Sequence, residues 1–444
     1  MNLTRPQLDS IVHALTVVLP ANAPADSQLR QFFRDNKNLG HRDRALVADT
    51  VYAALRHRRL LEHLTPNATP REMALATIVK LQGIGVGQIE AVLKRGEKEW
   101  LAAVKAQQLD ELPYEIRADL PDWVVERLRR TLDEAAILEL ARGLQQPAPL
   151  DLRVNTHKAP REAVLDRLEF DEIAAEPTKY SPIGVRLREK PSLSQHPMFL
   201  DGAVEVQDEG SQILGMLVEP RRGEMVVDFC AGAGGKTLQM GAAMGSSGRL
   251  YAFDVSDKRL TNLGPRLKRS GLSNVFPQRI SGENDPKVKR LRGKIDRVLV
   301  DAPCTGLGTL RRNPDLKTRQ TAAGLAELNV KQRAILDSAA TLLKPGGRLV
   351  YGTCSLLAEE NEDIVASFLA GHPDFHLVPA KDVLEKLGLK IEGAGDYLRL
   401  YPHVHHTDGF FAAVLEKGKT QAPMNADKST PMNADQDGGN GEPA

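Results

Sequence analysis

MVVDFCAGAGGKT, residues 225–237, is the stretch on which the fold turns. Met225–Phe229 is an apolar run broken only by Asp228, long enough for one buried strand. Cys230–Lys236 is a glycine-rich turn, and Thr237–Met244 continues with helical spacing. A strand, a glycine turn and a helix form the opening unit of a doubly wound α/β sheet, where ligands bind beyond the strand C-termini. A phosphate-binding loop would need glycine at position 230, which is Cys230, and a GxGxxG fingerprint from Gly232 would need glycine at Thr237. The nucleoside end of S-adenosylmethionine fits better. Asp254 closes the next apparent strand, Arg249–Asp254, one βαβ step later, where a carboxylate can accept both ribose hydroxyls.

The 444 residues exceed one ordinary domain, and 41% hydrophobic with 26% charged residues describes a soluble globular protein. Ile11–Leu19 is too short to span a bilayer and contains His13. The Ala21-Asn22-Ala23 after it mimics a signal-peptide cleavage site, but Asp9 offsets Arg5 ahead of the run. The expected compartment is the cytoplasm, with no membrane partner. Net charge is +1, yet residues 251–350 carry +11 and the remainder −10. A basic block in an otherwise acidic chain points to a bound polyanion.

Residues 1–145 read as helices. Asn2–Leu19, Asp43–Arg59, Arg71–Leu81, Val86–Arg95, Pro121–Thr131 and Asp133–Gln145 have helical apolar spacing, with breaks at Pro20, Pro66, Pro70, Gly83 and Pro113. After Pro147–Pro149, residues 146–205 alternate strand, helix and strands, a small α+β module. The core runs over 206–417. The tail, 418–444, is polar, repeats Pro-Met-Asn-Ala-Asp and is expected to be disordered.

There are three cysteines, Cys230, Cys304 and Cys354. An odd number without a CxxC pair argues against a disulfide framework or a zinc site. His403, His405 and His406 lack an accompanying carboxylate pattern, so no metal is expected. Each cysteine follows an apparent strand, Val226–Phe229, Val298–Asp301 or Leu349–Gly352, which brings all three to the ligand edge of the sheet. Thiols beside S-adenosylmethionine suit one chemistry. Carbon 5 of a pyrimidine is a weak nucleophile until a thiolate adds to C6. The C5 proton must then be removed and the thiol eliminated. A carboxyl near N3/N4 stabilises the adduct, and Asp301 stands three residues before Cys304.

At these residues the sequence resembles the Sun-type (Fmu-type) RNA cytosine-5 methyltransferases. The motifs are Asp228–Thr237, Asp301-Ala-Pro-Cys-Thr-Gly-Leu-Gly308 with Arg311-Arg-Asn-Pro-Asp315, and Tyr351-Gly-Thr-Cys-Ser355 with Glu360-Asn-Glu362. Val206–Gln212 and Asp408–Phe411 also resemble family signatures. The resemblance implies that Cys354 attacks C6, that Cys304 assists release, and that Asp301 and Lys236 complete the catalytic group. It implies an S-adenosylmethionine site made of Asp228, Cys230, Ala231, Gly232, Ala233, Gly234, Gly235, Lys236, Asp254, Arg259, Glu283 and Asp301. The helical region resembles the NusB-like domain of one ribosomal branch of the family, and the 146–205 module its RNA-recognition-like extension.

The sequence departs from the family pattern where Gly232 and Ala233 replace Ala-Pro, where Glu283 is the best match for an adenine-facing Asp, and where Thr318 replaces an aromatic. Arg311 and Arg312 are expected to bind the RNA backbone, the alternative being an internal pair with Asp315. The expected activity is methylation of C5 of a cytosine in structured RNA, small-subunit (16S) ribosomal RNA ahead of transfer RNA, by a monomer. A ribosome-assembly factor with little turnover is the alternative, and two thiols argue against it.

Overall fold

The computed structural model describes residues 3–109 and 111–419. The tail beyond 419 lies outside the described residues. Two sheets organise the chain. Strands β1 (Leu150–Val154), β2 (Ala175–Pro177), β3 (Gly184–Leu187) and β4 (Val204–Val206) form an antiparallel sheet in the order 2-3-1-4, with helix Arg161–Phe170 packed on it through Val164 and Leu168.

The larger sheet contains β5 (Met225–Asp228), β6 (Arg249–Asp254), β7 (Val275–Arg279), β8 (Ile295–Asp301), β9 (Leu343–Thr353), β10 (Phe375–Val378), β11 (Leu398–Leu400) and β12 (Phe410–Lys417). Its order is 10-12-9-8-5-6-7, with β11 on β12. Strands 5 to 9 are parallel and β12 runs antiparallel beside β9. The strand order reverses between β5 and β8, the switch point at which such sheets bind ligands. Buried Val, Leu and Phe side chains cover both faces, as a parallel sheet clad in helices requires.

Arg249–Asp254 has the bounds expected from the sequence, and the helix after the glycine turn begins at Gly235, two residues ahead of the expected Thr237. Two differences carry physical reasons. The expected helix over Asp43–Arg59 breaks at His57 into His41–Arg56 and Arg58–Leu64. The break lets the buried Asp119 carboxylate accept the N–H groups of Arg59 and Leu60. The helical region also has two cores rather than one. Residues 3–104 form their own apolar cluster, whereas Ala118–Leu144 pack against Leu307, Leu310, Leu325, Leu356 and Leu357 of the large-sheet region.

No helix among the described residues is long and apolar enough to cross a membrane.

Candidate active site

The glycine loop leaves β5 at Asp228 and enters its helix at Gly235. Gly234 sits in the left-handed region at φ +84°, where a Cβ would collide with Leu263. The loop is held from both sides. Asp254 accepts the Gly232 N–H at 2.9 Å and the Ser256 N–H at 2.7 Å. Arg266 donates to the Ala233 carbonyl at 2.7 Å, and Arg153, reaching from β1, donates to the Gly235 carbonyl. Arg266 thus braces the loop at Ala233, where the family pattern has proline, and Arg153 braces it at Gly235.

Asp228 is buried. Its Oδ2 accepts the Thr237 hydroxyl at 2.6 Å, while Oδ1 has no hydrogen-bond partner among the described residues. Burial pushes its pKa up to about 7 against the pull of that hydrogen bond, and the Asp301 charge adds to the rise. Lys236 Nζ lies 2.8 Å from Asp301 Oδ2. Burial opposes the Lys236 charge, but Asp301 outweighs it and the lysine stays firmly protonated.

The thiols stand across the cavity. Cys304 follows β8, Cys354 follows β9, and their sulfurs are 3.4 Å apart. The hydrogen bond to Cys354 raises the Cys304 pKa well above the usual thiol value, and burial raises it further, so Cys304 keeps its proton. The backbone closes the arrangement, because Gly308 N–H donates to the Cys354 carbonyl at 2.9 Å. A Cβ at Gly308 would press on that carbonyl and on Gly409. Burial also raises the Cys230 thiol, with the Asp228, Asp301 and Asp254 charges adding to it.

One cavity of about 930 Å³ is lined by Asp228, Cys230, Ala231, Gly232, Ala233, Gly235, Lys236, Asp254, Arg259, Glu283, Asp301, Cys304 and Cys354. Of the cofactor and catalytic residues expected from sequence, Gly234 alone is off that wall, its part being the turn itself. Gln207, Ser211, Val255, Lys331 and Ile335 also line the cavity and were not anticipated. Val255 had a legible signal, as an apolar residue directly after Asp254. Lys331 had none, because its helix, Ala322–Ala340, arrives from elsewhere in the fold.

Arg311 and Arg312, expected to bind the RNA backbone, are paired within the fold. Neither faces the cavity and neither pairs with Asp315. Arg311 is buried, 3.0 Å from Asp408 and 3.7 Å from Asp208. Arg312 donates from Nε to Asp408, from Nη2 to Asp208 and from Nη1 to the Pro149 carbonyl. The two carboxylates come from opposite ends of the large-sheet region. Much of the basic block behaves alike: Arg266 and Arg269 pair with Glu205, Arg297 with Glu224, Arg348 with Glu219 and Glu416, and Lys317 with Asp119. The block's positive excess is in part the counter-charge of the acidic excess elsewhere.

Among the described residues no group of three or more His, Cys, Asp or Glu is placed to hold a metal ion. His405 is instead a buried structural residue, accepting the Tyr401 N–H and lying 2.9 Å from the Glu392 carbonyl.

A parallel five-strand core closed by an antiparallel strand beside β9, with a glycine loop and an acidic β6 terminus around a deep cavity, defines a methyltransferase of Rossmann-like architecture. A family model described as 16S rRNA methyltransferase RsmB/F matches residues 215–416. One described as an RsmF/B-like, ferredoxin-like domain matches residues 120–194, so it takes in the helices that pack with the large-sheet region. The ribosomal RNA small subunit methyltransferase B of Sodalis glossinidius is 32% identical over 359 residues, 81% of this chain and 78% of that protein. The probable ribosomal RNA small subunit methyltransferase B of Bacillus subtilis is 26% identical over 443 residues, 92% of this chain and 98% of that protein. The solved structure of a methyltransferase homologue from Pyrococcus horikoshii is 30% identical, with a TM-score of 0.59 over 70% of this chain and 100% of that one. The chain belongs to the RsmB/F family of 16S rRNA methyltransferases.

Proposed function

We propose that this protein methylates carbon 5 of a cytosine in small-subunit ribosomal RNA, with S-adenosylmethionine as donor and a covalent bond between Cys354 and C6 of the base. The observation that carries the reading is the pair of touching thiols, 3.4 Å apart, on the wall of the cavity that also holds the glycine loop and Asp254.

The donor fits the residues present. Among the described residues Asp228 Oδ1 is a buried acceptor without a hydrogen-bond partner, Asp254 offers a carboxylate at the β6 terminus, and Val255 is 57% exposed, an apolar surface for a base. When bound, S-adenosylmethionine supplies an electrophilic methyl group on a sulfonium. The chain's own residues do the rest. Cys354 Sγ bonds to C6, which raises electron density at C5. In this reading Asp301, paired with Lys236, bonds the N3/N4 edge of the cytosine and stabilises the adduct. After C5 has received the methyl, water acting as base takes the C5 proton, the C–H electron pair re-forms the C5–C6 double bond and Cys354 leaves as the thiolate that attacked. Cys304, in contact with that sulfur, assists release.

Bisulfite sequencing of small-subunit ribosomal RNA and transfer RNA from cells with and without the gene tests the reading. The expected result is one or more protected cytosines in the ribosomal RNA that become convertible when the gene is removed. Loss of protection confined to transfer RNA would move the substrate, and no change in either would refute C5 methylation.

A further inference from the structure

Glu360 is fully buried in the short turn Ala358–Glu360, and among the described residues no cation pairs with it. A buried carboxylate without a counter-ion is costly unless hydrogen bonds replace its water. Here four donors do so. Oε1 accepts the Thr305 N–H at 2.8 Å and Gln332 Nε2 at 3.0 Å. Oε2 accepts the Thr305 hydroxyl at 2.5 Å and the Ser355 hydroxyl. The turn is pinned in place because the Tyr351 hydroxyl donates to the Glu360 carbonyl at 2.7 Å.

The identity of two of these partners matters. Thr305 directly follows Cys304, and Ser355 directly follows Cys354. The two hydroxyls are themselves 3.2 Å apart. One carboxylate thus grips both thiol-bearing loops at the residue next to each sulfur. We propose that Glu360 is a positioning residue that sets the separation of Cys304 and Cys354. It touches neither sulfur and acts through Thr305 and Ser355. A neutral, smaller or differently shaped group would let the two loops part, since beyond the strand ends the direct links left between them are the Ala302–Gly352 and Gly308–Cys354 backbone bonds and the Thr305–Ser355 hydroxyl contact. The importance of that separation rests on the two-thiol chemistry proposed above, but the separation itself can be measured without any methyl transfer.

The test uses the full chain, reduced and then treated with diamide. Two S–H bonds break, one S–S bond forms, and the reagent's N=N bond takes up the two electrons and two protons. Mass spectrometry of the Cys304–Cys354 peptide pair follows the rate, and calorimetry with S-adenosylmethionine reports whether the rest of the cavity is intact. Wild type is expected to close the disulfide, and Glu360→Gln to close it about tenfold more slowly with cofactor affinity unchanged, because small displacements of reacting atoms are costly in rate. Ser355→Ala removes one anchor and leaves the carboxylate three donors, so it keeps the question answerable if Glu360→Gln does not fold. It is expected to slow closure by about threefold. Wild-type closure rates in both folded variants, a loss of cofactor affinity in proportion to the slowing, or thiols that do not close in wild type would each overturn the proposal. Disulfide rates that behave as expected while ribosomal RNA shows no C5 methylation would leave Glu360 as the positioner and sink the proposed reaction alone.

Discussion

Two adjacent pairs of side chains, Cys304 with Cys354 and Arg311 with Arg312, were read from the same kind of signal, a motif beyond a strand end. The fold uses them oppositely. The thiols meet on the cavity wall, whereas the guanidiniums turn inward onto Asp208 and Asp408. The difference lies in what each side chain requires. A thiol is small and loses little by staying at a half-buried edge. A guanidinium close to the protein interior must find carboxylates, and the chain supplies two from distant positions. Strand-edge location predicts proximity to a site, but the direction of a charged side chain depends on partners that local sequence does not reveal.

That contrast can be broken most directly at Arg311. Burial pushes Asp408 up to about 6, and the Asp208 charge adds to the rise, even with both arginines alongside. Arg311→Ala leaves two buried carboxylates with one counter-ion and is expected to cost about 3–5 kcal/mol of stability. The pH dependence follows from linkage. A carboxyl whose folded pKa exceeds its unfolded value gives a fold that is most stable below the unfolded pKa and less stable as pH rises through the folded one. The melting deficit should therefore be larger near about pH 8 than near about pH 5. Thermal melts at the two pH values check this. A fully stable Arg311→Ala with weakened RNA binding would restore the role first expected for it.

Asp254 sharpens the other side of the comparison. Asp254→Ala removes an acceptor from the cavity wall and is expected to weaken S-adenosylmethionine by about 1.5–3 kcal/mol. Calorimetry on the folded variant reads it, and unchanged affinity would place the cofactor elsewhere.

The legible parts of the sequence were the local ones. Met225–Thr237 carries its strand, turn and helix within thirteen residues, and each cysteine sits beside the strand that delivers it. What escaped reading was made by long-range contact. Glu360 was visible as part of a motif, yet its grip on Thr305 and Ser355 exists only once β8 and β9 lie side by side. Arg153 and Arg266 brace the glycine loop from β1 and from helix Asp257–Ser270, and nothing near the loop announces them. The short strands β2, β10 and β11 have too few residues to show an alternation. The split between residues 3–104 and 118–144 follows from which apolar faces meet, not from their spacing.

The central claim is the division of labour between the two thiols, and denaturing gel electrophoresis with a labelled small-subunit ribosomal RNA transcript tests it. Cys304→Ala should attack and methylate but stall, giving a shifted protein–RNA band held through Cys354. Cys354→Ala should give no band and no turnover. The reverse pattern would exchange the two roles, and wild-type turnover in both variants would contradict the covalent mechanism outright.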